Sequence, residues 1–375
     1  MKKLTFALAL AGLLLVSCKE TPAEKFEKEM KAFLQENTVA GLSCCVVKDN
    51  QIIYNQNFGL KDITNANDPV DDNTLFRIAS ISKSFTATSF MQLIEQGKVN
   101  LKDDVSDLLG FKVRNPKFPD TVITLEMLLS HTSSINDDEG YYITIDVINP
   151  EINENADKCY NDYEPGKGYE YCNLNLNLAG TILERVSGER FDQYVVNHVV
   201  KPLELYAGYC VDSLDKSRFA HLYEWDGEKL VDVYDDAYAP RSEQIANYNF
   251  GHDALLFSPT GGMKISAINL AKYMTMHMNY GYSPLVDKRI ISEELSKNMQ
   301  TPRSDDENYG LCLWQTEEYT PGITLVGHTG GAYGLRSAMF FNPEEKYGFT
   351  VICSGSNDDN ILYDVVSRMY ESFIK

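Results

Sequence analysis

Phe76-Arg77-Ile78-Ala79-Ser80-Ile81-Ser82-Lys83-Ser84-Phe85-Thr86-Ala87, running on to Gln96 and Gly97, is the stretch that decides how this chain is read. Apolar residues at positions 81, 85, 87, 90, 91 and 94 recur at helical spacing and predict an amphipathic helix over 80–96. Gly97 suits the left-handed residue that ends such a helix. Ser80 and Lys83 are three apart, so they share a helix face and an ammonium can reach the hydroxyl. The serine also stands at the positive end of the helix dipole, which favours an alkoxide. The same Ser-x-x-Lys spacing occurs at Ser213–Lys216, in an acidic loop, and at Ser372–Lys375. Only the first opens a long helix. By itself it is equally a plain N-cap serine with an exposed lysine.

Upstream, Glu24 to Glu36 has a helical period, with Phe26, Met30, Phe33 and Leu34 on one side. Leu42 to Val47 and Gln51 to Phe58 are strand-like, and the Asp49-Asn50 pair between them marks a hairpin. Lys61 to Asn73 reads as polar loop. Downstream, to about residue 260, the pattern is helices and long loops. One helix runs from Asn175 through Val186 to Gly188, and another from Phe191 to Val200, before Pro202. Beyond Pro259 come a helix at Ile265–Met278 and strand-like runs at Tyr309–Gln315, Ile323–His328, Ser337–Phe341 and Gly348–Ser354. A last helix spans Ile361–Phe373. Both chain ends therefore feed one antiparallel sheet in an α/β fold, with a large helical insertion.

Two further triplets each occur once. Tyr171-Cys172-Asn173 follows the loop Pro165-Gly166-Lys167-Gly168, and His328-Thr329-Gly330-Gly331 lies at the end of a strand-like run, where glycines admit a close backbone. Their order is Ser-x-x-Lys, Tyr-x-Asn, His-Thr-Gly, with gaps of 91 (171 − 80) and 157 (328 − 171) residues. In this combination the chain resembles the penicillin-recognising serine hydrolases of the class C β-lactamase and D-Ala-D-Ala carboxypeptidase family, which includes esterases and D-aminopeptidases. Phe76-Arg77-Ile78-Ala79, Leu128-Leu129-Ser130-His131-Thr132, Pro202-Leu203, Gly261-Gly262-Met263, Leu270-Ala271 and Tyr309-Gly310-Leu311 extend the likeness, from about residue 25 onward.

The resemblance implies a β-lactamase/transpeptidase-like fold, with an antiparallel sheet flanked by N- and C-terminal helices. Residues 22–75 plus 262–375 would form the α/β domain and 76–261 a mainly helical one, with the active site between them. It implies Ser80 as acylated nucleophile, with Lys83 and Tyr171 moving the protons, alone or as a coupled pair. Asn173 would hold substrate or Lys83. The oxyanion would lie on the backbone N–H groups of Ser80 and Gly331, beside His328, Thr329 and Gly330. His131 would be structural, and Cys172 should point away from Tyr171.

Two departures bear on substrate. Family β-lactamases usually carry lysine where His328 stands, and a neutral imidazole anchors a carboxylate less well. Ser134 stands where the landmark usually continues with glycine. Asn136 to Glu164 holds nine acidic residues and one lysine; it reads as a solvated loop or as an acidic rim that disfavours anions. Esters or D-amino-acid peptides and amides of the cell envelope are therefore the expected substrates. β-Lactamase or D-Ala-D-Ala carboxypeptidase activity is the alternative, and an inert envelope-binding lipoprotein the second alternative.

The chain's first residues bear on location. Lys2 and Lys3 precede the apolar stretch Leu4–Val16, which is too short to span a bilayer comfortably and reads as a signal peptide over 1–18. Leu15-Val16-Ser17-Cys18 resembles a bacterial lipobox, so Cys18 is the expected lipid anchor to a membrane of the envelope. Formal net charge is −20, and removing Lys2 and Lys3 makes it −22 ((34 − 2) − 54). That argues against nucleic acid as a partner. Of the eight cysteines, Cys159 and Cys210 could pair in an oxidising compartment. Without CxxC or HExxH no metal site is expected, nor is a cofactor, and the protein is expected to be a monomer.

Overall fold

A computed structural model describes residues 20–375, so the expected signal peptide and Cys18 lie outside the described residues. The first helix, α1 (Pro22–Glu36), begins on a reciprocal cap. The Thr21 hydroxyl accepts from Glu24 N–H, and the Glu24 carboxylate accepts from Thr21 N–H. Strands β1 (Gly41–Lys48) and β2 (Gln51–Gly59) follow, joined as expected through Asp49 and Asn50. Both turn residues have positive φ (50° and 65°), the conformation that matches strand twist in a two-residue hairpin.

The nucleophile segment differs from its expected form. Helix α2 begins at Ser82 and ends at Glu95, while Ser80 lies in a single 3-10 turn, Ala79–Ile81, ahead of it. Nor is α2 amphipathic. Ser82 to Met91 are all buried, polar residues included. Buried hydroxyls require partners, and they find them: Ser84 donates to Ile81 O, Thr88 to Ser84 O, Ser89 to Phe85 O and Thr86 to Pro259 O.

Helices α3 (Asn173–Ser187) and α4 (Ala267–Met278) lead to strands β3 (Trp314–Thr316), β4 (Leu325–Ala332), β5 (Leu335–Asn342) and β6 (Tyr347–Cys353), and α5 (Ile361–Phe373) follows. The six-stranded sheet runs β3-β4-β5-β6-β1-β2, with every neighbouring pair antiparallel. Alternation along β1 sends Leu42, Cys44 and Val46 towards α1 and α5, and Cys45 and Val47 towards the core that contains α4. The sheet is thus covered on both faces, with chain ends on one side, as the sequence predicts.

Two strand expectations need correction. Tyr309–Gln315 contributes only its last residues to β3. Upstream, Leu311 N–H bonds Met299 O and Cys312 N–H bonds Leu129 O, so this backbone is committed to the helical region rather than to a neighbouring strand. Conversely, β4 does not stop at His328. It continues through the glycines because each pairs with β5, Gly330 with Ser337 and Gly331 with Arg336. The central region also holds a small sheet of Phe76–Arg77, Lys264–Ile265 and Ala207–Gly208, which fixes the chain entering the nucleophile turn. Cys159 and Cys210 are both free thiols, not a disulfide.

Candidate active site

Three distant segments meet at Lys83. Its side chain is fully buried, and Nζ sits 3.0 Å from Ser80 Oγ, 2.9 Å from Asn173 Oδ1 and 3.0 Å from Thr260 O. Nζ also lies 4.7 Å from the centre of the Tyr171 ring. Three acceptors match the three N–H bonds of an ammonium. In the amine form, two N–H bonds still serve Asn173 and Thr260, and the lone pair faces the Ser80 hydroxyl. Burial disfavours the charged form and lowers the Lys83 pKa to about 7. Burial acts oppositely on Tyr171, raising its phenol well above the usual range although the Ser80 hydroxyl beside it pulls downward.

Asn173 is fixed at both ends. Its Oδ1 accepts from Lys83 and from the Thr260 hydroxyl (2.7 Å), and its Nδ2 donates to Asp137 Oδ2 (2.9 Å). Asp137 also accepts from the backbone N–H groups of Asn173 (2.8 Å) and Leu174 (2.9 Å), and from the Cys172 thiol (3.2 Å). Helix α3 has no side-chain cap of its own. A carboxylate from another segment fills that place, which the helix dipole favours. In the sequence Asp137 is one of nine acids from Asn136 to Glu164. No local signal set it apart, because its partners are 36 and 37 residues away. Thr260, by contrast, sits beside the landmark Gly261-Gly262-Met263 and was within reach of that signal.

His131 buttresses Tyr171. The rings are 4.4 Å apart, and His131 Nδ1 accepts from Cys172 N–H at 3.2 Å. Burial, then the nearby Lys83, pushes His131 far below its ordinary pKa, so it is neutral. The Cys172 thiol points to Asp137.

The glycines of β4 divide their tasks. A Cβ on Gly330 would lie 2.2 Å from Ile78 O and 3.2 Å from Ala79 Cβ, so this glycine lets the strand rest on the nucleophile turn. On Gly331 a Cβ would meet nothing nearer than 3.8 Å. Gly331 lines the same cleft as Ser80, Tyr171 and Asn173, a space of about 580 Å³.

His328 and Thr329 line a hollow of about 190 Å³ that shares Tyr171 with that cleft. His328 Nδ1 bonds the Thr329 carbonyl and must carry the proton there, so Nε2 accepts from the Tyr309 hydroxyl at 2.9 Å. Burial lowers its pKa to about 3. Both ring nitrogens are occupied and the ring is neutral, so His328 holds no charge for a substrate carboxylate.

The family model named Beta-lactamase matches residues 26–364. The chain belongs to the Beta-lactamase family. It is a family of serine hydrolases in which an acyl-enzyme mechanism is typical. The chain is similar to protein Flp of Staphylococcus aureus (strain N315), with 25% identity over 335 residues; that alignment covers 88% of this chain and 63% of Flp. Among solved structures, the octameric penicillin-binding protein homologue from Pyrococcus abyssi superposes with a TM-score of 0.74 at 26% identity, covering 93% of this chain and 77% of that one. D-amino acid amidase from Ochrobactrum anthropi SV3, complexed with D-phenylalanine, shares the fold at 20% identity, with a TM-score of 0.72 and coverage of 94% and 98%. In this Beta-lactamase family member the serine, the lysine and the tyrosine stand in one cluster.

Proposed function

We propose that this chain hydrolyses esters, or amides and peptides of D-amino acids, in the cell envelope through an acyl-enzyme on Ser80. The observation that carries the proposal is the buried Lys83 amine, held 3.0 Å from Ser80 Oγ by two fixed acceptors. Neighbouring titratable groups whose environments push them apart take opposite proton roles. With its pKa lowered, Lys83 accepts the Ser80 proton as the oxygen attacks the substrate carbonyl. Tyr171, held as phenol, donates to the leaving group and then takes a proton from the deacylating water, while Lys83 returns its proton to Ser80 Oγ as the acyl bond breaks. Asn173 keeps the lysine aimed. The backbone N–H groups of Ser80 and Gly331 receive the oxyanion, each such donor contributing a factor of ~10²–10³.

The neutral, occupied His328 argues for esters and amines over cephalosporins. Labelling of purified protein by a fluorophosphonate, located by mass spectrometry, tests the reading. Label on Ser80, absent in Ser80→Ala, together with turnover of activated esters supports it. An unlabelled Ser80 with no turnover instead favours a binding lipoprotein.

The lipobox-like Leu15-Val16-Ser17-Cys18 supports a lipid anchor on Cys18 and an envelope location. Partition of the expressed protein into a detergent phase, lost in Cys18→Ala, is the expected result.

A further inference from the structure

The chamber on the far side of Tyr171 has a composition of its own. Tyr169, Tyr171, Tyr309 and Trp314 wall it, and the one carboxylate in its lining is Glu307. Tyr169 and Tyr309 ring centres are 5.7 Å apart, and Tyr171 and Tyr309 meet edge to face at 6.3 Å. Glu307 Oε1 accepts from the Trp314 indole N–H at 2.7 Å and from Asn308 N–H at 3.2 Å. Its Oε2 has no hydrogen-bond partner among the described residues. His328 completes the wall as a neutral ring.

From this geometry we infer that the chamber is a cation subsite, which takes a substituted ammonium group of the substrate beside the reacting bond. Aromatic faces attract a cation through their quadrupole, most strongly when it is desolvated. One carboxylate at the edge adds direct Coulomb attraction. A substrate carboxylate would instead face Glu307 and find no positive partner in the wall. The site thus inverts the charge preference that a lysine at position 328 would create. It also couples binding to chemistry, because a cation against the Tyr171 ring favours the phenolate left when Tyr171 protonates the leaving group. The inference rests on the hydrolase reading for its place beside the bond, but not for the binding itself.

The test compares acetylthiocholine with its uncharged isostere, the thioacetate of 3,3-dimethylbutanethiol. The kcat/KM ratio of cationic to neutral ester is expected to exceed roughly tenfold. Glu307→Gln should reduce that ratio by most of this factor. Reading a ratio cancels any general loss of activity. In parallel, tetramethylammonium is titrated into the protein and Trp314 fluorescence is followed, with Trp314→Phe to subtract Trp225. A saturable change, weakened in Glu307→Gln, is expected. A ratio near one overturns the inference even if the cation binds. If neither ester turns over, the hydrolase reading has failed, and the titration alone decides: no saturable change overturns the cation site.

Discussion

Lys83 Nζ donates to Asn173 Oδ1 across 2.9 Å, and this bond joins a helix that starts after the nucleophile to one that starts 91 residues later (173 − 82). Neither partner can rotate away. The far side of the Asn173 amide is tied to Asp137, and Lys83 is also bound to a backbone carbonyl. The active amine is therefore positioned by a carboxylate that never touches it.

Asp137→Asn should expose that dependence. The variant replaces an acceptor of several donors with a half-donor amide, which should cost about 2 kcal/mol of stability. kcat should fall ~10–100-fold, with KM less affected, because aim rather than binding is lost. Thermal unfolding and steady-state kinetics check both. Combination with Asn173→Ala should be clearly less than additive, since both act through one bond.

The Lys83 pKa near 7 sets the acid side of the rate profile. Because that pKa is lowered, the amine fraction grows as pH rises through this value. kcat/KM should climb about tenfold per unit below it and level off above it. Lys83→Arg cannot supply a base and should lose ~10³-fold or more, with no inflection near neutrality. Rate profiles from pH 5 to 9 on an activated ester decide.

Gly330 and Gly331 should respond differently to the same methyl. Gly330→Ala drives a Cβ against Ile78 O and should cost about 2–3 kcal/mol, with activity falling as the turn shifts. Gly331→Ala has room, so its Tm should stay near that of the parent. Its methyl enters the cleft, and kcat/KM should drop ~10-fold or more. Paired melting curves and kinetics separate the two.

Ser134 explains itself only in three dimensions. Its φ is +63°, the left-handed region that glycine adopts freely, and its Oγ accepts from Asn115 Nδ2 at 3.0 Å. The hydrogen bond offsets strain of about 1 kcal/mol. Ser134→Ala should therefore lose about 1 kcal/mol, whereas Ser134→Gly, which sheds both bond and strain, should stay near neutral. Equal losses in denaturant unfolding would contradict this.

The sequence determined the elements and the chemistry-bearing residues. Periodicity found α1, α5 and the hairpin at Asp49-Asn50, because a helix face and a strand face each repeat over a few residues. Three motifs in order marked the site, and the first two named Ser80, Lys83, Tyr171 and Asn173, which share one cluster. Tertiary structure decided the rest. Asp137 became the support of Asn173 only when a loop folded over the start of α3, and Gly330 became essential only when β4 came to rest on Ile78. His328 was legible as a site residue, yet its neutral state came from burial, with Tyr309 and the Thr329 carbonyl claiming both its nitrogens. Patterns in a chain report which face a residue presents. They carry no record of which distant segments will bury a polar group, and in this site that burial sets the protonation states.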